Sequence, residues 1–386
     1  VQILSSNLVS NGDFSQEGVQ EISNGSFSQE GSELVTNGNF ATNSSWTTSN
    51  QSTISNGVAR ILSTDGSYQY IAQTSVGYSN TQGKQVKVTL EITEYISGIL
   101  KLQFSGGTSY VFPTSVGVHT LYVLNDGTSG TLNLARVGGA TDISIDNVSV
   151  KEVGQDWSLG GEVTIGDNLA HFESNTNTYS YIRQDISSLA SKTYKVQLEV
   201  KNYVSGAVQV AFSGASPIAQ NLNVSTDGVY TAYLTPNANG DDFEVSREFN
   251  GGNFNFDITN ISVKEVGQDW TLGTGWSIGE DKAISDGSGF GALSSSYSNF
   301  NSKKLKVNFD ILNYVSGEIR VPPSYRQDGL DIRYSANGSY ELIYDSINSA
   351  FALNTVNFNG SVTNISVIEI TDDTNLPRIN YEGFSY

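Results

Sequence analysis

Apolar and polar residues alternate in runs along much of the chain. In TYKVQLEVK, Tyr194, Val196, Leu198 and Val200 fall on one side, and Lys195, Gln197, Glu199 and Lys201 on the other. A period of two belongs to a strand with one buried and one wetted face. The pattern returns in QVKVTLEITEYISGILKLQF and LKVNFDILNYVSGEIRV, which align Tyr95, Tyr203 and Tyr314. Ser-Gly between two such runs predicts an antiparallel hairpin. No segment sustains a 3.6-residue period.

Those tyrosines lie roughly 110 residues apart, so a large unit occurs three times. Each copy closes on a similar strand: ISIDNVSVKEV, FDITNISVKEV and SVTNISVIEI, with Asn147, Asn260 and Asn364 in register. Trp46, Trp157 and Trp270 open them and read as core anchors. Many short strands separated by turn residues predict an all-β chain of three tandem β-sandwich modules. Their bounds are 33–153, 154–266 and 267–371. Residues 372–386, rich in Asp, Asn and Pro, read as a linker-like tail into a further domain. The junctions VKEVGQDW hold no Pro-, Ser- or Gly-rich linker, which favours a semi-rigid rod over loose beads.

Residues 1–32 carry a shorter repeat. Units of 13 residues start at Asn7, Gln20 and Glu33, and align Asn11-Gly12, Asn24-Gly25 and Asn37-Gly38. Phe14, Phe27 and Phe40 follow in the same register. Asn-Gly tolerates positive φ and marks a turn or bulge. The third unit can open module 1, which leaves two strands without a sheet. Unpaired strands expose amides and carbonyls. The expectation is therefore an assembly segment that adds strands to a neighbouring subunit, with Phe14, Phe27 and Phe40 in a shared packing site.

Composition narrows the chemistry. Net charge is −19, from 20 Lys+Arg and 39 Asp+Glu. This opposes binding to nucleic acid or to an anionic membrane surface. No run approaches 18 apolar residues, so no membrane insertion is expected. Cysteine is absent and only His119 and His171 supply imidazole, each in a strand-like run. That removes disulfides and thiolate chemistry, and leaves metal sites and Ser-His-Asp triads poorly supplied. The acids are scattered rather than paired across a cleft, so an enzyme is not expected. Sugar binding by a sandwich uses aromatic faces and amides. The candidates are Tyr68, Tyr70 and Gln73 in module 1, and Tyr179, Tyr181 and Gln184 in module 2. The bland alternative is that these rings belong to the core.

The order of motifs resembles a known family. NLVSNGDF or ELVTNGNF opens, Trp follows, then YQYIAQ or YSYIRQ, then TYKVQLEV, and IDNVSV closes. This is similar to the jelly-roll carbohydrate-binding modules attached to xylanases. DNVSVKEVGQDW and the tail DDTNLPRINYEGFSY look more like repeats of phage virion proteins, especially tail and head fibres. The resemblance implies jelly-roll sandwiches and a non-enzymatic structural role at the virion surface. Its expected partners are other virion subunits, homo-oligomeric copies and a cell-surface glycan. The alternative is a carbohydrate-binding or adhesin array of a secreted bacterial protein. No cofactor is required. The family's structural calcium would fall at Asp146 in module 1, because Thr259 and Thr363 stand at that position in modules 2 and 3. Those modules also lack an NGDF-like opening of their own.

Overall fold

The structure, a computed structural model, describes residues 2–176, 178–214, 217–247 and 252–372. The linker-like tail, residues 373–386, lies outside them. Strands dominate, and the only α-helix among the described residues is the single turn Val76–Asn80, capped by the Ser75 side chain.

Module 1 consists of two five-stranded antiparallel sheets. One has the order Gly117–Leu124, Gln85–Ser97, Thr141–Glu152, Val58–Ser63, Thr53–Ser55. The other runs Thr47–Thr48, Tyr70–Thr74, Thr131–Arg136, Leu100–Phe104, Ser109–Val111. Module 2 repeats both orders. In module 3 the long strands Lys304–Val321 and Ala352–Asp372 run through both layers and join them into one continuous ladder. The alternating residues behave as their pattern requires: Tyr194, Val196, Leu198 and Val200 are all buried. Three separate apolar clusters fill the three sandwiches. They do not stop at the bounds drawn above. Val153 packs in the second cluster and Val266 in the third.

The Ser-Gly motif is not a hairpin. Gln85–Ser97 and Leu100–Phe104 lie in different sheets and do not pair. Ser97-Gly98 is the corner at which the chain crosses from one layer to the other. Gly98 has φ +93, and a Cβ there would lie 2.3 Å from Thr141 Oγ1 on the closing strand. Gly206 (φ +105) makes the same corner against Phe254. Only glycine combines this conformation with such a close approach.

The N-terminal residues form no separate body. The first unit lies on module 3, the second on module 2 and the third on module 1, in the reverse of chain order. Gln2–Asn7 pairs antiparallel with Ala352–Asp372, with Gln2 opposite Asp372. Glu17–Gln20 pairs with Phe254–Val266, and Glu30 bridges to Val153. Val9 and Phe14 belong to the third core, Ile22 and Phe27 to the second, Val35 and Phe40 to the first. The two strands that looked surplus are thus the missing openings of modules 2 and 3. Their backbone groups find partners within their own chain. We call residues 2–40 the strap.

Candidate functional site

The strap grooves are the most elaborate recognition site in the chain. Each unit makes the same knuckle. Asn11, Asn24 and Asn37 adopt φ of 49, 47 and 57, and Phe14, Phe27 and Phe40 adopt 58, 54 and 49. The Phe amide donates to the Asn carbonyl at 3.1–3.2 Å. Asn accepts a left-handed conformation readily, but for Phe it costs about 1–3 kcal/mol. Burial offsets this cost: each ring is at most 2% exposed and is worth about 1.5–3 kcal/mol. Each also meets the module's opening tryptophan, at centroid distances of 5.5, 5.5 and 5.4 Å for Trp270, Trp157 and Trp46.

Polar contacts fix the register. Each indole N–H donates to a knuckle carbonyl: Trp270 to Asn11, Trp157 to Asn24, Trp46 to Asn37. The carbonyls of Gly12, Gly25 and Gly38 accept from Ile365, Ile261 and Val148 of the closing strands, each at 2.9 Å. The first side chain of each unit accepts from the closing strand as well: Asn7 from Val367 N, Gln20 from Val263 N, Glu33 from Val150 N. The bulges at Asn147, Asn260 and Asn364 (φ 54, 49 and 54) shape the closing strands to receive the knuckles.

Charge adds a second layer. Glu17 bridges Lys195 and Lys264, and Glu30 bridges Lys87 and Lys151, at 2.6–2.9 Å. These lysine hydrogen bonds hold both carboxyls below the usual range. A group whose pKa falls on folding stabilises the fold above its unfolded value, near 4.5, and loses that contribution as pH drops through the folded value. Hydrogen exchange of Glu17–Gln20 is therefore expected to quicken, relative to the sandwich cores, below about pH 4.5. Glu17→Gln should remove this acid dependence. An identical acid response in the variant would exclude the clamp as its cause.

The sugar-binding candidates divide between two faces. Gln73 and Gln184 sit an odd number of residues from their tyrosines and point inward. Each amide pairs both ways with the strap backbone. Gln73 donates to Thr36 O and accepts from Thr36 N, at 2.7 and 3.0 Å. Gln184 treats Ser23 in the same way, at 3.1 and 2.6 Å. They are strap clamps, removed from any outer platform. The tyrosines lie on the outer face. Tyr68 and Tyr70 stand 5.6 Å apart, with Tyr68 half exposed and Lys101 Nζ 6.0 Å from its ring. Their row continues across the sheet to Ala135 and Lys101, beside Ala72, Asn133 and Gln103. The alanines form a floor that is itself covered, Ala72 8% and Ala135 0% exposed, with rings on one side and polar groups on the other.

Module 2 keeps the pair Tyr179–Tyr181 but fills the floor. Arg183 lies 4.6 Å from the Tyr181 ring and binds Glu244, which also accepts from the Tyr179 hydroxyl. Burial and Glu244 push the Tyr179 hydroxyl up to about 12. Module 3 has Ala292 at the position of Tyr181, and exposed Phe290 at that of Tyr179.

Asp146 lies on the closing strand of module 1, where its Oδ1 accepts from Asn147 N at 2.6 Å. Its counterparts act as donors. Thr259 Oγ1 donates to Asn168 O, and Thr363 Oγ1 to Asp281 O, both in the turn of the facing hairpin. Module 1 therefore sets a carboxylate where its neighbours set a hydroxyl between carbonyls. Among the described residues no group of three or more His, Asp or Glu side chains could hold a metal ion. His171 binds Asp257 across its sheet, and His119 binds its own loop at Ser115 O.

No family model and no curated protein matches the sequence. Among solved structures, similarity is found to the N-terminal CBM22-1–CBM22-2 tandem domain of Paenibacillus barcinonensis Xyn10C. Identity is 11% over 62% of this chain and 99% of that one, with a TM-score of 0.23. A chain of a structure described as the triple jelly roll fold and turret assembly in an archaeal virus matches at 12% identity over 84% of this chain and 89% of that one, TM-score 0.23. A protein in the atomic structure of Sulfolobus turreted icosahedral virus matches at 12% over 84% and 90%, again with a TM-score of 0.23. Overlap at this level transfers no function.

Proposed function

We propose that this chain is a non-enzymatic structural protein of a virion surface appendage, with a fibre-like spacing role. The observation that carries this reading is the strap. One segment completes all three sandwiches and crosses both junctions, which suits a part that must hold its modules in fixed order. The motif resemblance to phage fibre repeats supports the location. Immunogold microscopy of particles from a producing culture, with an antibody to the folded chain, should label an appendage. Label confined to cell surfaces or secreted material would overturn the reading.

A second reading, glycan contact through module 1, is favoured by the exposed ring of Tyr68 beside Tyr70. Module 2 spends the same positions on Arg183 and Glu244. Retention of the full chain on a glycan array should then fall at least tenfold in a Tyr68→Ala/Tyr70→Ala double variant, the loss of about 1.4 kcal/mol or more. An unchanged array would remove it. Calcium is proposed at Asp146 alone, because this carboxylate stands where modules 2 and 3 place Thr259 and Thr363, and calcium takes oxygen ligands. A chelator should lower the melting of module 1, and an effect confined to module 2 would exclude the site.

A further inference from the structure

Each module seats its successor in the same way. Tyr122 lies opposite Lys87 on the strand Gly117–Leu124, and Tyr233 lies opposite Lys195 on Gly228–Leu234. Both tyrosines reach into the next module and pack on its core. Both meet a glycine at the start of a tight hairpin turn. A Cβ on Gly166 would lie 2.9 Å from the Tyr122 ring, and one on Gly279 would lie 3.7 Å from that of Tyr233. Tyr122 also donates to Asp167 in the same turn, at 3.1 Å. The turns share one geometry, with φ of 51 and 63 at Asp167 and Asn168, and 51 and 57 at Glu280 and Asp281.

Both halves of this contact recur at the two extremes of the array, unmatched among the described residues. In module 3 the residue opposite Lys306, at the register of the two tyrosines, is Ile343, and it is 45% exposed. In module 1 the corresponding turn is Ser55-Asn56-Gly57-Val58, with φ of 53 and 76 at Asn56 and Gly57. Ser55 and Asn56 are exposed, whereas Gly166 and Gly279 are buried under their tyrosines. Ile54 is only partly buried, while its counterparts Ile165 and Ile278 are 1% and 2% exposed. The sizes compensate. A large ring meets a glycine within the chain, and at the free ends a smaller Ile343 faces a larger Ser55.

We propose that copies of this chain associate head to tail, with the Ile343 face of one copy seating the Ser55–Val58 hairpin of the next. The contact continues the module-to-module interface already present twice. It is heterologous, because the two surfaces differ, so it repeats in one direction and does not close by itself on two copies. The inference is independent of the appendage reading: it concerns how copies meet, wherever they act.

The test uses the full chain in sedimentation velocity over a range of concentrations. The wild type should show a mass that climbs in monomer steps. Ile343→Asp should remain monomeric, because it lacks the seat, and Ser55→Arg should remain monomeric, because it lacks the hairpin. An equimolar mixture of the two variants should form a dimer and nothing larger, since one intact interface survives between them. Both positions are exposed, so melting should not change. If either variant melts early, Ile343→Lys or Asn56→Arg takes its place. A wild type that stays monomeric, a single variant that associates as the wild type does, or a mixture that fails to dimerise would each overturn the proposal.

Discussion

Phe27→Ala should lower the melting transition of module 2 by about 10–20 °C and leave those of modules 1 and 3 nearly unmoved. The ring is 2% exposed and fills the space beside Trp157. Truncating a buried Phe typically costs about 3–5 kcal/mol. Alanine keeps the Cβ that makes the left-handed conformation at this residue costly, so none of that cost is returned. For a module of this size about 3 kcal/mol corresponds to a shift in that range. Differential scanning calorimetry, with Trp157 fluorescence to mark the module, would measure it. A uniform shift of all transitions would show that residue 27 does not serve one module. No shift would show that the unit is not seated at all.

Gly12→Ala should release residues 2–16 from module 3 although the substitution deletes no apolar side chain of the unit. A Cβ at this glycine would lie 1.9 Å from the carbonyl oxygen of Ile365 and 2.9 Å from its carbonyl carbon. Backbone cannot yield to that contact without breaking the knuckle. The predicted readout is hydrogen exchange: amides of Gln2–Asn7 and of the facing edge of Ala352–Asp372 should lose about a hundredfold or more in protection. Gly240→Ala is the control for glycine replacement as such, because no atom lies within 4 Å of a Cβ at that position. Its positive φ of 75 still makes it a mildly strained site. Equal protection in Gly12→Ala and the wild type would exclude the seating described above.

The sequence carried the sandwiches plainly, because a period of two runs through the first halves of Gln85–Ser97 and Thr193–Ser205. It also carried the number of strap units and the register that aligns them. It did not carry the assignment of unit to module. That choice depends on contacts between residues some 240 to 360 positions apart, such as Gln20 with Val263 and Asn7 with Val367. A signal was nonetheless present: two modules lacked an opening strand, and two units were in excess. Charge marked the order too. Glu17 and Glu30 match lysine pairs in modules 2 and 1, whereas Leu4 faces Ile370 in module 3.

The Ser-Gly corner was misread because alternation gives the parity of a strand and says nothing of which strand lies beside it. Close packing of Gly98 on Thr141 is what sends the chain into the second layer. Parity could have separated Gln73 from Tyr70, since an odd spacing turns a side chain to the opposite face. What parity could not supply was the partner, Thr36, that makes an inward glutamine tolerable in the core.

The pairing of Gln2 with Asp372 decides how the fold would answer a pull applied through these two residues. The partners at the end of this ladder are the attachment points of the load, so tension opens the bonds one after another instead of shearing them together. Force would draw the first knuckle from beside Trp270, then the second from beside Trp157, before reaching the segment continuous with module 1. The chain would lengthen in discrete yields, each withdrawing one aromatic knuckle from a sandwich core, a graded extension built from a segment of 13-residue steps.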